Sequence, residues 1–189
     1  MAPVASVRSD GDLVHARVRQ RERSDVRDTA DMTVPVRPAA RVLVFDEDDR
    51  LFLLRFLDPG KQIPHWATPG GGVQPGESHE GAARRELWEE LGVEVVEVGP
   101  VVWTRETEFD FARTWLRSAE RFYKVSLPAE WVRPGSVSAL EQENVTGWRW
   151  WELDDLESTD EVVWPSRIGA FARTLLRDGN PAGPVDVGV

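Results

Sequence analysis

Residues 71–93 read GGVQPGESHEGAARRELWEELGV, a run that passes from a glycine-rich approach into a well-bounded helix. Ser78 is placed to cap the N-terminus, because its hydroxyl accepts a bond from one of the first, otherwise orphaned, helical amides. Glu80 sits in the first turn and Gly92 supplies the stop, so the spacing predicts a helix over 78–91. At about 100° per residue, Glu89 and Glu90 fall roughly 60° to one side and 40° to the other side of Glu86. Three carboxylates therefore share one stripe, while Ala83, Leu87 and Leu91 form an apolar strip beside it. The strip anchors the helix on a core and turns the acidic stripe toward a cleft. Like charges so spaced repel by roughly 0.2–0.5 kcal/mol per exposed pair, and by more where solvent is excluded, unless a cation sits among them. Oxygen donors without imidazole or thiolate point to Mg²⁺ or Mn²⁺ rather than zinc.

In register, the stretch is Gly71-x5-Glu77-x7-Arg85-Glu86-Leu87-x-Glu89-Glu90-x-Gly92-Val93. At every defined position it resembles the Nudix box of the Nudix hydrolases, a coincidence expected on the order of once in a hundred million starting points. The strand pair before it, the Pro69-Gly70-Gly71-Gly72 approach and the tryptophan-rich late strand are similar to the family too. The resemblance implies an α/β/α sandwich with a mixed β-sheet, and metal-dependent hydrolysis of a nucleoside diphosphate linked to another moiety. It implies the Gly71 carbonyl as a backbone metal ligand, Glu86 and Glu90 as the main side-chain ligands with Glu89 beside them, and Glu77 and Arg85 as their partners. An arginine fork would hold the glutamates in working rotamers. The general base is either Glu89, which is preferred, or a carboxylate of the loop Glu141-Gln142-Glu143, with Glu143 in reserve. ADP-ribose, nucleotide sugars, dinucleoside polyphosphates and damaged nucleoside triphosphates all remain as substrates. ADP-ribose enzymes tend to carry a proline downstream where this chain has Glu108, and dinucleoside polyphosphate enzymes a tyrosine that is absent around Asp110 and Phe111. The alternative to catalysis is a nucleotide-sensing module that keeps the fold without turnover. Relatives of this kind often pair, so a homodimer is within expectation.

Composition narrows the field from the other side. With 189 residues the chain has the length of one domain, and the absence of cysteine removes disulfides, thiolate nucleophiles and Cys-ligated metals. It also removes the Nudix-fold isomerases of isopentenyl diphosphate, which use a cysteine. The net charge of −10 repels a phosphate backbone, so nucleic acid is not an expected partner and a polyanionic small ligand needs a bridging cation. No apolar run approaches the ~18 residues that span a bilayer, and Met1 to Gly11 lacks a signal h-region, so no membrane partner is expected and the cytoplasm is the default compartment.

Along the chain, residues 1–31 are rich in Arg, Asp and Ser and read as a polar, loosely docked or disordered extension. The domain is expected over 32–180, with Met32 a candidate natural start and 181–189 a short tail. Arg41–Phe45 and Leu51–Arg55 read as a hairpin around Asp46-Glu47-Asp48-Asp49, followed by a long loop from Asp58 to Gly76. Further strands are expected at 93–98, 101–104, 120–127 and 147–152, and an amphipathic helix at 166–177, ended by Gly179. Without regular βαβ repeats, the class is a mixed α+β sandwich.

Candidate ligand contacts follow from residue type. Gly70 and Gly72, flanking Gly71, let the backbone approach a ligand closely. Trp66 and Trp103 are candidates to stack on a base, and Arg55 and Arg105 to meet phosphate. Alternation puts Trp148 and Trp150 on one strand face, Arg149 and Trp151 on the other. His65 and His79 lack metal-ligand spacing and are treated as incidental.

Overall fold

The computed structural model describes residues 36–58, 62–94, 97–111, 114–135 and 144–188. The expected extension 1–31 and the loop carboxylates Glu141 and Glu143 lie outside them.

A single long strand organises the sheet. β1 (Val36–Phe45) pairs in parallel along its whole length with β6 (Thr114–Ser126). Its other edge is divided. Ala39–Arg41 meet β4 (Gly70–Gly72), and Phe45 meets Leu51 at the start of β2 (Leu51–Leu57). β2 is joined by β3 (Pro64–Ala67) and by β7 (Val145–Trp151), β3 by β8 (Val163–Trp164), and β6 by β5 (Val101–Phe111), on whose far edge lies β9 (Val185–Asp186). The result is a mixed sheet, in agreement with the expected class. The β1–β2 hairpin turns on Asp46, whose carboxylate accepts the Asp48 and Arg50 amides at 3.0 and 2.9 Å and the Arg50 guanidinium at 2.7 Å.

Each face of the sheet is covered by a helix. α1 (His79–Leu91) lays Ala82, Ala83, Leu87 and Leu91 against Val42, Val44, Phe52 and Leu54. The short α2 (Leu153–Ser158) precedes α3 (Ile168–Asp178), which buries Ile168, Ala172 and Leu175 on the opposite face against Leu43, Leu53 and Phe122. Alternation along the strands divides the apolar residues between two cores, hence the α/β/α layering. Among the described residues no helix is long and apolar enough to cross a membrane.

Several boundaries differ from the sequence expectations. The loop 58–76 contains β3 and β4, because edge pairing with β2 and β1 supplies hydrogen bonds that Pro- and Gly-rich segments do not announce. β5 and β6 run well past 104 and start well before 120, as a polar ribbon: Glu106 and Glu108 face Arg117, 3.2 and 3.7 Å away, and no apolar alternation marks it. Residues 93, 94, 97 and 98 are irregular instead of a strand, although Val93 and Val98 are buried. The segment after 180 contributes β9, and Val187 enters the core.

α1 is pinned largely through Leu87, which is fully buried. Leu87→Ala is expected to cost about 3 kcal/mol of stability, the usual range for emptying a packed leucine site, read as a shift in the denaturant midpoint at unchanged slope.

Candidate active site

α1 starts and ends as its sequence predicts. The Ser78 hydroxyl accepts the Gly81 amide at 3.0 Å, and Gly92 closes the helix in the left-handed region at φ 65°, its amide turned back to Leu87 and Trp88. These caps fix the helix frame, and with it the angular positions of Arg85, Glu86, Glu89 and Glu90.

Arg85 is the centre of the arrangement. A guanidinium has five N–H donors in a rigid fork, and here all five are used. Nε and one Nη2 hydrogen reach Glu77 at 3.0 and 3.1 Å, Nη1 bridges Glu86 at 2.8 Å and Glu89 at 2.9 Å, and Nη2 also donates to the Gly72 carbonyl at 3.0 Å. Glu77 in turn accepts the Gln74 amide at 2.9 Å, which ties the loop before the helix to the same cluster. The arginine beside it holds the Glu77 carboxyl below the usual carboxylate range. Glu77, followed by Glu86 and Glu89, pushes Arg85 above its own ordinary value, so the guanidinium stays charged.

Glu90 is bound to the other side of the approach loop, one oxygen accepting the Gly70 amide at 2.8 Å. A Cβ on Gly71 would lie 2.4 Å from a Glu86 oxygen, closer than any real side chain comes, so only glycine lets that carboxylate nestle against the strand. Gly70 is equally constrained, at φ 134° with the Ala40 carbonyl 2.2 Å from where its Cβ would stand. Its own carbonyl accepts Arg41 Nη1 at 2.8 Å. Gly72 is overlain by the Arg37 guanidinium. The Gly70 amide binds Glu90, its carbonyl accepts Arg41, and the Gly72 carbonyl accepts Arg85, so both glycines brace the carboxylate cluster.

Behind Gly70 lies a buried charge cluster. Glu120, 2% exposed, accepts Arg41 Nε at 3.1 Å and Arg105 Nε at 2.7 Å. Burial pushes the Glu120 carboxyl up, but the two guanidinium groups more than offset it and leave it below its ordinary value. Arg105 is thus committed to Glu120 and is not a phosphate contact. Three other candidates are also displaced. Trp66, 7% exposed, packs edge-on to Trp151 and donates its indole N–H to Glu161 at 2.7 Å; Trp103, 2% exposed, lies between Phe122 and Phe171. Both have their rings in the α3-side core, where no base can stack. Arg55 shares the strand face of Leu51 and Leu53, toward α3, whereas the glutamates lie on the α1 side. His65 stacks on Phe56.

Among the described residues, Trp148 is the aromatic that lines the cleft beside Glu90. A cleft of about 180 Å³ is lined by Glu90, Leu54, Val145, Trp148, Pro134 and Gly135, with Gly147 beside them. The alternation of β7 announces that Trp148 and Trp150 share a face; only the position of α1 says that this face carries the cleft. The arginines around Glu120 had no sequence signal at all, their partners being 79 and 15 residues away.

Hard oxygen donors on one stripe, beside a run of three glycines, fit a divalent cation. Among the described residues no three acidic or histidine side chains are drawn together tightly enough to form a cation cage by themselves; Arg85 holds Glu86 and Glu89, and Gly70 holds Glu90.

A fold with a helix on each sheet face, and a helix–loop cluster of this composition, define a Nudix-type hydrolase. The family model described as NUDIX domain matches residues 35–172, and the chain belongs to the Nudix hydrolase family. It is similar to an RNA pyrophosphohydrolase of Caulobacter vibrioides, 32% identical over 146 residues that cover 71% of this chain and 81% of that protein. An RNA pyrophosphohydrolase of Gluconobacter oxydans is 40% identical over 66 residues, 35% of this chain and 38% of that one. Among solved structures, a MutT protein from Methanosarcina mazei superposes with a TM-score of 0.61 at 20% identity, covering 79% of this chain and 99% of that one, which shows the fold.

Removing the charge of Glu120 leaves two arginines facing each other in the interior. Glu120→Gln is expected to cost about 3 kcal/mol of stability, the scale of breaking a buried pair, measured by denaturation. The wild-type carboxyl has a folded value below its unfolded one, so its contribution is present above the ordinary carboxylate range and is lost as pH falls through the folded value. The gap between wild type and variant is therefore expected to close on acidification; a gap independent of pH would contradict the assignment.

Proposed function

We propose that this protein hydrolyses the phosphoanhydride of a nucleoside diphosphate joined to a second group, with Mg²⁺ or Mn²⁺ held by Glu86, Glu89, Glu90 and the Gly71 carbonyl. The observation that carries the reading is the gathering of Glu77, Glu86 and Glu89 around one arginine beside the Gly70–Gly72 backbone. When bound, a divalent cation neutralises the diphosphate and lowers the pKa of a water. The rest falls to the chain. Arg85 orients Glu86 and Glu89, and the Gly70 amide orients Glu90. Glu89, or Glu143 from the loop, takes the proton as the water oxygen bonds to one phosphorus and the bridging oxygen leaves with the other phosphate. The products are a nucleotide and a phosphorylated second group.

A small nucleotide derivative is the favoured substrate, since a net charge of −10 opposes the body of a polyanion. A 5′-triphosphorylated RNA end is the second reading, favoured by the activity named for the Caulobacter vibrioides relative.

Incubation with ADP-ribose, nucleotide sugars, dinucleoside polyphosphates, nucleoside triphosphates and a 5′-triphosphorylated oligonucleotide in Mg²⁺ is expected to release phosphorylated products from a nucleotide-sized member. Ligand binding without any product would mean a sensor. Glu90→Gln is expected to lower kcat by about a hundredfold or more with the fold retained. pH–rate profiles of Glu89→Gln and Glu143→Gln identify the base as the variant that loses the ionisation together with the rate.

A further inference from the structure

We infer that the cleft between β7 and the segment 132–135 is a stacking subsite for the nucleobase of the substrate, with the indole of Trp148 as its platform; this rests on the function proposed above. Trp148 is 52% exposed, large for an indole, yet it is not loose. Phe52, fully buried, stacks against it at 5.9 Å between centroids and 24° between planes, and sets the ring's orientation from below. β7 is held to β2 through the pairing of Trp148 with Leu54, so the platform stands on the sheet. The facing wall is tied to α1 itself: the Arg133 amide donates to the Leu91 carbonyl at 2.8 Å and the Gly135 amide to the Glu90 backbone carbonyl at 3.3 Å. Platform and wall are thus fixed to the same frame as the carboxylate stripe, and Glu90 stands at the junction.

The chemistry of the lining selects the ligand. Leu54, Val145 and Pro134 present apolar surface, and among the described lining residues Glu90 alone has a charged side chain. A sugar, rich in hydroxyls, would leave most of them unpaired on such a surface; a phosphate would meet the like charge of the Glu90 carboxylate. A flat, uncharged, aromatic group gains from it. The volume, about 180 Å³, is below the ~300–1,000 Å³ of sites that take a whole small ligand, so one ring system enters and the phosphates extend toward the glutamates. Because every base has a π-face, recognition by stacking is tolerant of base identity. The same subsite serves the base of a free nucleotide derivative or the terminal base of an RNA 5′ end.

The test is steady-state kinetics of wild type, Trp148→Ala and Trp148→Phe on ADP-ribose, a uridine diphosphate sugar, a 5′-triphosphorylated oligonucleotide and, as a base-free diphosphate, 5-phosphoribosyl diphosphate. Trp148→Ala is expected to raise KM roughly tenfold or more for every base-bearing substrate that is turned over, with kcat kept. Trp148→Phe should retain most of the affinity, and the base-free compound should be indifferent to both changes. Whichever base-bearing arm is hydrolysed identifies the source of the base. An unchanged KM in Trp148→Ala, or an equal loss toward the base-free compound, overturns the subsite. If nothing is turned over, the proposed hydrolysis fails, and calorimetric titration of AMP decides the subsite separately: weakening by a similar factor in Trp148→Ala supports it, while equal binding, or none to the wild type, overturns it.

Discussion

One guanidinium among three carboxylates is the constraint on which the site depends. Glu86 and Glu89 on the helix and Glu77 just before it would repel one another, and Arg85 turns that repulsion into a clamp by giving two charge-assisted hydrogen bonds to Glu77 and one each to Glu86 and Glu89. Its remaining donor reaches the Gly72 carbonyl, so the clamp also joins helix to strand. The glycines answer the same demand from the other side. Gly71 is bare because the Glu86 carboxylate occupies the space a side chain would need.

The sheet carries this cluster through a second, independent set of charges. Arg105, Glu120 and Arg41 cross three adjacent strands on the α3 side and end at the Gly70 carbonyl, while the Gly70 amide holds Glu90 on the α1 side. A single residue of β4 therefore links a buried ion cluster on one face to a carboxylate of the α1 acidic stripe on the other. Burying a carboxylate is costly unless it is fully paired, and Glu120 meets that condition by having two arginines, one of which serves the site.

The box and its helix were legible because each of their requirements is local: a hydroxyl cap at Ser78, a left-handed stop at Gly92, carboxylates three and four residues apart. The mixed α+β class also followed from the irregular order of strands and helices, and the α/β/α layering from the family resemblance. What misled was residue type taken without side. Trp66 and Trp103 look like base platforms beside a glycine loop, yet the alternation of β3 and β5 sends both into the α3-side core. Arg105 looks like a phosphate ligand until Glu120 is found opposite it. β3, β4 and the outer parts of β5 and β6 escaped because their stability comes from partners far along the chain, not from their own apolar pattern.

The amino-acid sequence by itself therefore determined the local pattern: which carboxylates gather on α1, and the family to which that pattern belongs. Tertiary structure alone decided the surroundings, namely which tryptophan stands in the cleft, which arginines are spent in the interior, and what holds the glycine loop. The reason lies in range. Helical periodicity and capping act over a few residues and are written in order along the chain, whereas the facing of a strand and the partner of a buried charge depend on contacts between segments that the linear order keeps apart.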